Sequence, residues 1–166
     1  MKSCIASFFM VLILCSCNHE YYQYGSLKYR LYRSTDLRKK VINIKALDLS
    51  NEEGIPNDLY LQNQLLILNL ADKNLKDLDA QFCQLTSLRV LILTDNQGIR
   101  LPGCVSELRE LEVLSLLGCR LESIPPEIKN MPHLKTLVLS GNDLSINELK
   151  SLAEQLPNTS IIDSVD

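Results

Sequence analysis

Four leucines, Leu65, Leu88, Leu111 and Leu134, fall 23 residues apart, and each opens the phrase L-x-x-L-x-L. The phrases are Leu65/Leu68/Leu70, Leu88/Leu91/Leu93, Leu111/Leu114/Leu116 and Leu134/Leu137/Leu139. A period of this length argues against a fold built around one central core. No single unit can bury its own leucines, so neighbouring units must stack and share one apolar column. Within each phrase the fourth and sixth places point to the same side of a strand. The stacked strands are then parallel, about 4.8 Å apart.

The phrase continues beyond the strand. Leu116 is followed by Leu117, Gly118, Cys119, Arg120 and Leu121, then by Ile124-Pro125-Pro126-Glu127-Ile128 and Met131; Leu139 is followed by Ser140, Gly141, Asn142, Asp143 and Leu144. This resembles the leucine-rich repeat family, L-x-x-L-x-L-x-x-N-x-L with a returning L-P-x-x-I-x-x-L, in its short bacterial form of 23-residue period. The resemblance covers roughly residues 41–166. It implies an α/β repeat solenoid: a right-handed arc whose concave side is a parallel sheet of about five to six short strands.

Several units depart from the pattern. The Asn place holds Asn96 and Asn142, but Cys119 in one unit and Lys73 in another, with Asn74 one step later. A distorted or slipped turn is expected at Lys73. Gln97-Gly98-Ile99 stands where Asn-x-Leu is expected, which suggests a bulge before Leu101-Pro102. The first unit, Ile44/Leu47/Leu49, lies 21 residues before Leu65, so its return over 52–64 is shortened. The last unit carries helical spacing from Ile146 to Leu156, with Pro157 as a stop and Ile161-Ile162 as a final strand.

Residues 1–16 read as a secretory signal. Lys2 gives a positive start, and the apolar run from Ile5 to Leu14 is shorter than the roughly 20 residues a spanning helix needs. The segment Leu14-Cys15-Ser16-Cys17 resembles the bacterial lipoprotein signal, which implies lipidation at Cys17. Residues 17–25 would then be a lipidated tether. Residues 26–41 would cap the solenoid, with Leu27, Tyr29 and Leu31 alternating like an edge strand and Ser34-Thr35-Asp36 opening a helix. Residues 42–166 would form the repeat domain, closed by a helical C-terminal cap. In a Gram-negative host Asn18 favours the outer membrane or cell surface over the inner membrane.

Charge divides at the same boundary. Residues 17–40 hold six basic and two acidic side chains, or +4, and five of the chain's six tyrosines. Residues 41–166 hold 10 basic and 18 acidic residues, or −8, which argues against a nucleic-acid partner. The basic stretch could attract anionic lipid near the anchor, at about 1 kcal/mol per residue.

No catalytic constellation, cofactor loop or metal-ligand spacing is read from the sequence. His133 precedes a rung leucine and is expected at the surface, while Cys119 occupies a rung place and is expected buried. Cys4, Cys15 and Cys17 belong to the signal. Cys83 and Cys104 sit on the returns of adjacent units, on opposite sides of the equivalent apolar places Phe82 and Val105. Their side chains are therefore expected to diverge, although pairing between them is left open.

Function is placed on the strand positions that face away from the leucine column. Ile67, Val90, Ile92, Val113, Leu117 and Val138 form an apolar band there, joined by Asn69, Ser115 and Thr136, with Asp72 and Asp95 as an acidic margin. The expected role is a monomeric, lipid-anchored recognition module that binds a protein, with a glycan as second choice. An open band of this kind would tolerate charge at Val90 and Val113. A competing role is a structural accessory of an envelope assembly, docked through the basic tyrosine-rich segment.

Overall fold

The computed structural model describes residues 21–24, 27–32, 45–50, 53–131 and 133–164. The signal segment with Cys17, the expected helix start at Ser34, and Ile44 lie outside the described residues. The described strands form one sheet in chain order. They are β1 (Tyr21–Tyr24), β2 (Leu27–Tyr32), β3 (Ala46–Asp48), β4 (Ile67–Asn69), β5 (Val90–Ile92), β6 (Val113–Ser115), β7 (Thr136–Val138) and β8 (Ser160–Ile162).

β3 to β8 pair in parallel, rung on rung: Leu47 opposite Leu68, Leu68 opposite Leu91, Leu91 opposite Leu114, Leu114 opposite Leu137 and Leu137 opposite Ile161. The rung leucines Leu47, Leu68, Leu91, Leu114 and Leu137 are all 0% exposed. One continuous core therefore runs behind the sheet. β2 extends the sheet in parallel beside β3, and β1 folds back antiparallel on β2. Leu27, Tyr29 and Leu31 do fall in a strand, but β1 and β3 flank it on both sides, so the edge belongs to β1. Tyr21–Tyr24 is also strand, however, where a tether was expected. Antiparallel pairing with β2 gives the backbone of these four residues partners within the sheet in place of water.

The returns are 3-10 turns, Asn57–Leu61, Ala80–Gln84, Gly103–Glu107 and Pro126–Asn130, which bury Leu59, Phe82, Val105 and Ile128 in turn. Pro56, Pro102 and Pro125 precede three of them. Proline is preset near the required φ and has no N–H to leave unpaired. Asp79 replaces proline in the other turn, and its carboxylate accepts the Gln81 N–H at 2.7 Å. Leu59 lies one full period before Phe82, so the shortening of the first return falls ahead of its 3-10 turn. The terminal helix α1 (Ile146–Gln155) opens with a capping box between Ser145 and Glu148, and β8 follows as expected.

The Lys73 turn is in register. Asn96 Nδ2 donates to Leu70 O at 2.9 Å, Asn142 Nδ2 to Leu116 O at 2.8 Å and Cys119 Sγ to Leu93 O at 3.2 Å. Lys73 Nζ makes the corresponding bond to Leu49 O at 2.8 Å. A long cation thus does what the amide does elsewhere, so the expected slip does not occur. The bulge at Gly98 is present: Gly98 has φ +68°, and Ile99 fills the apolar place one residue late, 2% exposed.

The expected divergence of Cys83 and Cys104 is overturned. They form a disulfide, with Cα atoms 6.0 Å apart. Opposite flanks of one turn do point apart. When two such turns stack side by side, however, the trailing flank of one faces the leading flank of the next.

Candidate protein-binding face

The strand positions that face away from the leucine column divide into a closed part and a half-open part. Ile67 (2%), Val90 (1%), Ile92 (3%) and Val113 (4%) are buried, together with Ala46, as an apolar cluster against Leu66 and Ala71. The expectation of an open band fails for these four. Parallel strands bring equivalent side chains flank to flank at about 4.8 Å, and lateral packing of β-branched residues supplies part of their cover. Aspartates at Val90 and Val113 would lie inside this cluster, so that pair cannot separate binding from folding. Asn69 and Ser115 are also buried: Asn69 Oδ1 accepts from Ala71 N at 3.0 Å, and Ser115 Oγ lies 3.1 Å from Thr94 Oγ1.

The same columns open toward the C-terminal end. Thr136 and Val138 on β7 are half-buried, as is Ile162 on β8; Leu117 belongs to the next column, which is half-buried at Ala71, Thr94 and Leu117 and closed at Ser140. Thr136 lies beside Val113, and Val138 lies between Ser115 and Ile162. Asp72 and Asp95 are exposed at the ends of their strands, with φ of +55° and +59°. The equivalent places in the next two coils hold Gly118 and Gly141, with φ of +66° and +70°. Aspartate tolerates this left-handed conformation better than most side chains. The Asp95 carboxylate occupies the space a Cβ on Gly118 would need. The acidic margin therefore exists, and it is held by a turn the backbone requires.

One group of residues is not anticipated by the apolar pattern. Arg89, Glu112 and Lys135 stand one place before β5, β6 and β7 and form an ionic ladder across the strands. Arg89 Nη1 lies 3.5 Å from Glu112 Oε1, Arg89 Nη2 lies 3.7 Å from Glu110 Oε2, and Lys135 Nζ lies 2.7 Å from Glu112 Oε2. Their signal in the sequence is charge alternating at the 23-residue period. Exposed pairs of this kind add at most about 1 kcal/mol each to stability. Their larger effect is to give the half-open patch a cation at the strand starts, opposite the acids at the strand ends.

Among the described residues no group of three His, Cys, Asp or Glu side chains converges on a common point. His133 is exposed and Cys119 is fully buried, both where the sequence placed them. Burial pushes the Cys119 thiol up to about 11. At pH 8 only about one molecule in a thousand would then carry the thiolate that reacts. Iodoacetamide at pH 8 should leave native Cys119 unmodified and label it promptly in urea. Rapid native labelling, read by mass spectrometry, would refute the burial.

The parallel sheet, the 3-10 returns and the repeated turn bonds together define an α/β repeat solenoid. Residues 109–158 match the family model described as Leucine Rich repeats (2 copies), which supports that family. The chain is 29% identical over 156 residues to adenylate cyclase of Schizosaccharomyces pombe, covering 77% of this chain and 9% of that protein. It is 29% identical over 104 residues to plant intracellular Ras-group-related LRR protein 8 of Oryza sativa subsp. japonica, covering 60% and 28%. It is 31% identical over 100 residues to the protein flightless-1 homolog of Caenorhabditis elegans, covering 60% and 8%. The chain thus spans less than a third of the length of these relatives. Among solved structures it resembles an LRR protein of Leptospira interrogans (24% identity, TM-score 0.59, covering 73% of this chain and 30% of that one). It also resembles a chain of the Drosophila melanogaster SNF/U2A′ complex (23% identity, TM-score 0.61, covering 71% of each). At these identities the likeness establishes the fold.

Proposed function

We propose that this protein is a lipid-anchored recognition module of a bacterial cell envelope, which binds a protein partner through the half-open end of its sheet face. Leucine-rich repeat proteins generally mediate protein–protein interaction rather than catalysis. The observation that carries the reading is the gradient along the face. The apolar columns close over β4 to β6 and open at Thr136 and Val138, beside half-buried Leu117 and between the Lys135 end of the ladder and Asp95. The Leu14-Cys15-Ser16-Cys17 sequence supports an anchor at Cys17. The Cys83–Cys104 bond supports export, because disulfides form and persist mainly in oxidising compartments. In a Gram-negative host the outer membrane or cell surface is the favoured address.

The patch is small. A standard interface takes about 800 Å² from each partner, and two or three short strands about 4.8 Å apart supply less than half of that. The turns at Asp95–Arg100 and Gly118–Arg120 must therefore contribute, or many anchored copies must act together.

Glutamates at Thr136 and Val138 test the site, since neither residue is fully buried. Capture of a partner from envelope extracts should fall at least tenfold in the T136E/V138E double variant, with the melting temperature unchanged. The exposed control K129E, on the returning side, should capture as wild type does. Equal capture by T136E/V138E and wild type would rule this face out. Metabolic labelling with a fatty acid should mark wild type and not Cys17→Ala; equal labelling of both would remove the anchor.

A further inference from the structure

The junction between the Leu65 coil and the Leu88 coil carries three links on its return side besides the stacked leucines. Asp77 and Arg100 form a parallel backbone bridge, and Arg100 Nε and Nη2 donate to Asp77 Oδ1 and Oδ2 at 2.6 and 2.9 Å. A few residues on, Cys83 and Cys104 join the two 3-10 turns covalently. Both cysteines are half-buried, while the neighbouring Phe82 and Val105 are 1% and 0% exposed. The other described cysteine, Cys119, is buried and reduced. Among the described residues, the half-buried disulfide is thus the sulfur group open to a reductant, and the thiol of Cys119 lies within the core.

The two sides of this junction are held very differently. On the sheet side the ladder is continuous, with Val90 N–H donating to Leu66 O, Leu70 N–H to Ile92 O and Asp72 N–H to Thr94 O, each at 2.9 Å. On the return side each turn closes on short-range bonds: Phe82 N–H to Asp79 O and Leu85 N–H to Phe82 O in one, Val105 N–H to Pro102 O and Leu108 N–H to Val105 O in the other. Hydrogen-bond geometry in 3-10 turns is poorer than in α-helices, and runs of them are short. Segments with few backbone bonds and solvent-facing edges open at low free energy while the core stays closed.

We propose that the Cys83–Cys104 bond is a redox-controlled staple of this junction, closed in an oxidising compartment and opened by dithiols. Opening loosens the two return turns and leaves the sheet in register. To close the bond, the two thiols release two protons and two electrons to the disulfide of an oxidant of the protein-disulfide class, which leaves as a dithiol. To open it, a dithiol attacks one sulfur as thiolate, forms a mixed disulfide and resolves it with its second thiol. The reductant ends as a disulfide, and Cys83 and Cys104 each regain a proton. The proposal rests on the export reading for where the bond closes, but the response of the purified chain to reductant is independent of it.

Hydrogen exchange of the full chain, with and without dithiothreitol, tests the staple. Reduction should raise exchange in residues 80–84 and 103–107 at least tenfold, leave β4 to β6 protected, and lower the melting temperature by about 10 °C. The double variant C83S/C104S should show the reduced pattern without reductant and no further response to it. Free thiols at both positions in protein isolated from an oxidising compartment would overturn the proposal. So would an unchanged exchange pattern on reduction, loss of protection across the whole sheet, or a reductant response that survives in C83S/C104S. Failure of the export reading would appear separately, as retention of the chain in the cytoplasm on cell fractionation with the redox response of the purified chain intact.

Discussion

Replacing Asn96 with leucine should lower the unfolding free energy by about 4 kcal/mol. The Asn96 side chain is 0% exposed and serves two coils at once. Its Oδ1 accepts the backbone N–H groups of Lys73 at 3.1 Å and Leu75 at 2.9 Å, and its Nδ2 donates to Leu70 O and Leu93 O, both at 2.9 Å. Leucine has the same number and branching of side-chain heavy atoms and is bulkier, so water cannot enter to replace these bonds, and two amide donors lose the partner they have in that pocket. Each orphaned donor costs about 1–3 kcal/mol. Asn142 is half-buried, and its Oδ1 accepts from Leu121 N at 2.9 Å. Asn142→Leu should therefore cost about 2 kcal/mol. Lys73→Met removes one donor to Leu49 O and should cost about 1 kcal/mol. Urea midpoints of the three variants give the order directly. Equal losses for N96L and N142L would mean that the amides act through shape rather than through the bonds they make.

That series also shows what the sequence could and could not convey. The period of 23 residues carries register, because a strand slipped by one place would turn every rung leucine out of the core. The pairing of Leu68, Leu91, Leu114 and Leu137 follows from it. A one-letter pattern marks Lys73 as a misfit because it records residue type. The structure records only whether a donor reaches Leu49 O, and a lysine side chain is long enough to do so. The disulfide was hidden for a related reason. The sequence shows which flank of its own turn each cysteine takes, but pairing depends on which flanks face one another across the gap between coils.

The candidate face was legible as a set of columns and not as a surface. Alternation within each strand places Val90, Val113 and Thr136 on one side. Whether such a position is open depends on its neighbours in other coils and on what lies over them. Val90 and Val113 have apolar neighbours along the column, while Thr136 sits nearer the end of the stack. The Arg89–Glu112–Lys135 ladder was legible in principle, since its charges alternate at the repeat period. Attention to apolar residues alone passes over it.

Phe82→Ala should cost about 3–5 kcal/mol, among the largest losses open to a single truncation in this chain. The equivalent places in the other coils hold Leu59, Val105 and Ile128, all 0% exposed. The phenyl ring is therefore the largest filler of that column, and it lies between the Tyr60 ring and the disulfide-linked turn. Its centroid is 5.4 Å from that of Tyr60, with the rings at 90°, an edge-to-face contact that adds about 1 kcal/mol beyond burial. Truncation leaves a cavity at the junction where the return side is already the weaker half. Phe82→Leu restores the residue type of the preceding coil and should cost only about 1 kcal/mol. A second readout separates a cavity from general loosening. Burial, assisted by the nearby Asp79 carboxylate, raises the Tyr60 hydroxyl above its ordinary value. In Phe82→Ala that elevation should shrink as water reaches the ring, while Phe82→Leu should retain it. Titration of the Tyr60 ring by NMR would measure both variants. An unchanged Tyr60 in Phe82→Ala, with stability lost by less than about 1 kcal/mol, would mean that the column repacks freely around position 82.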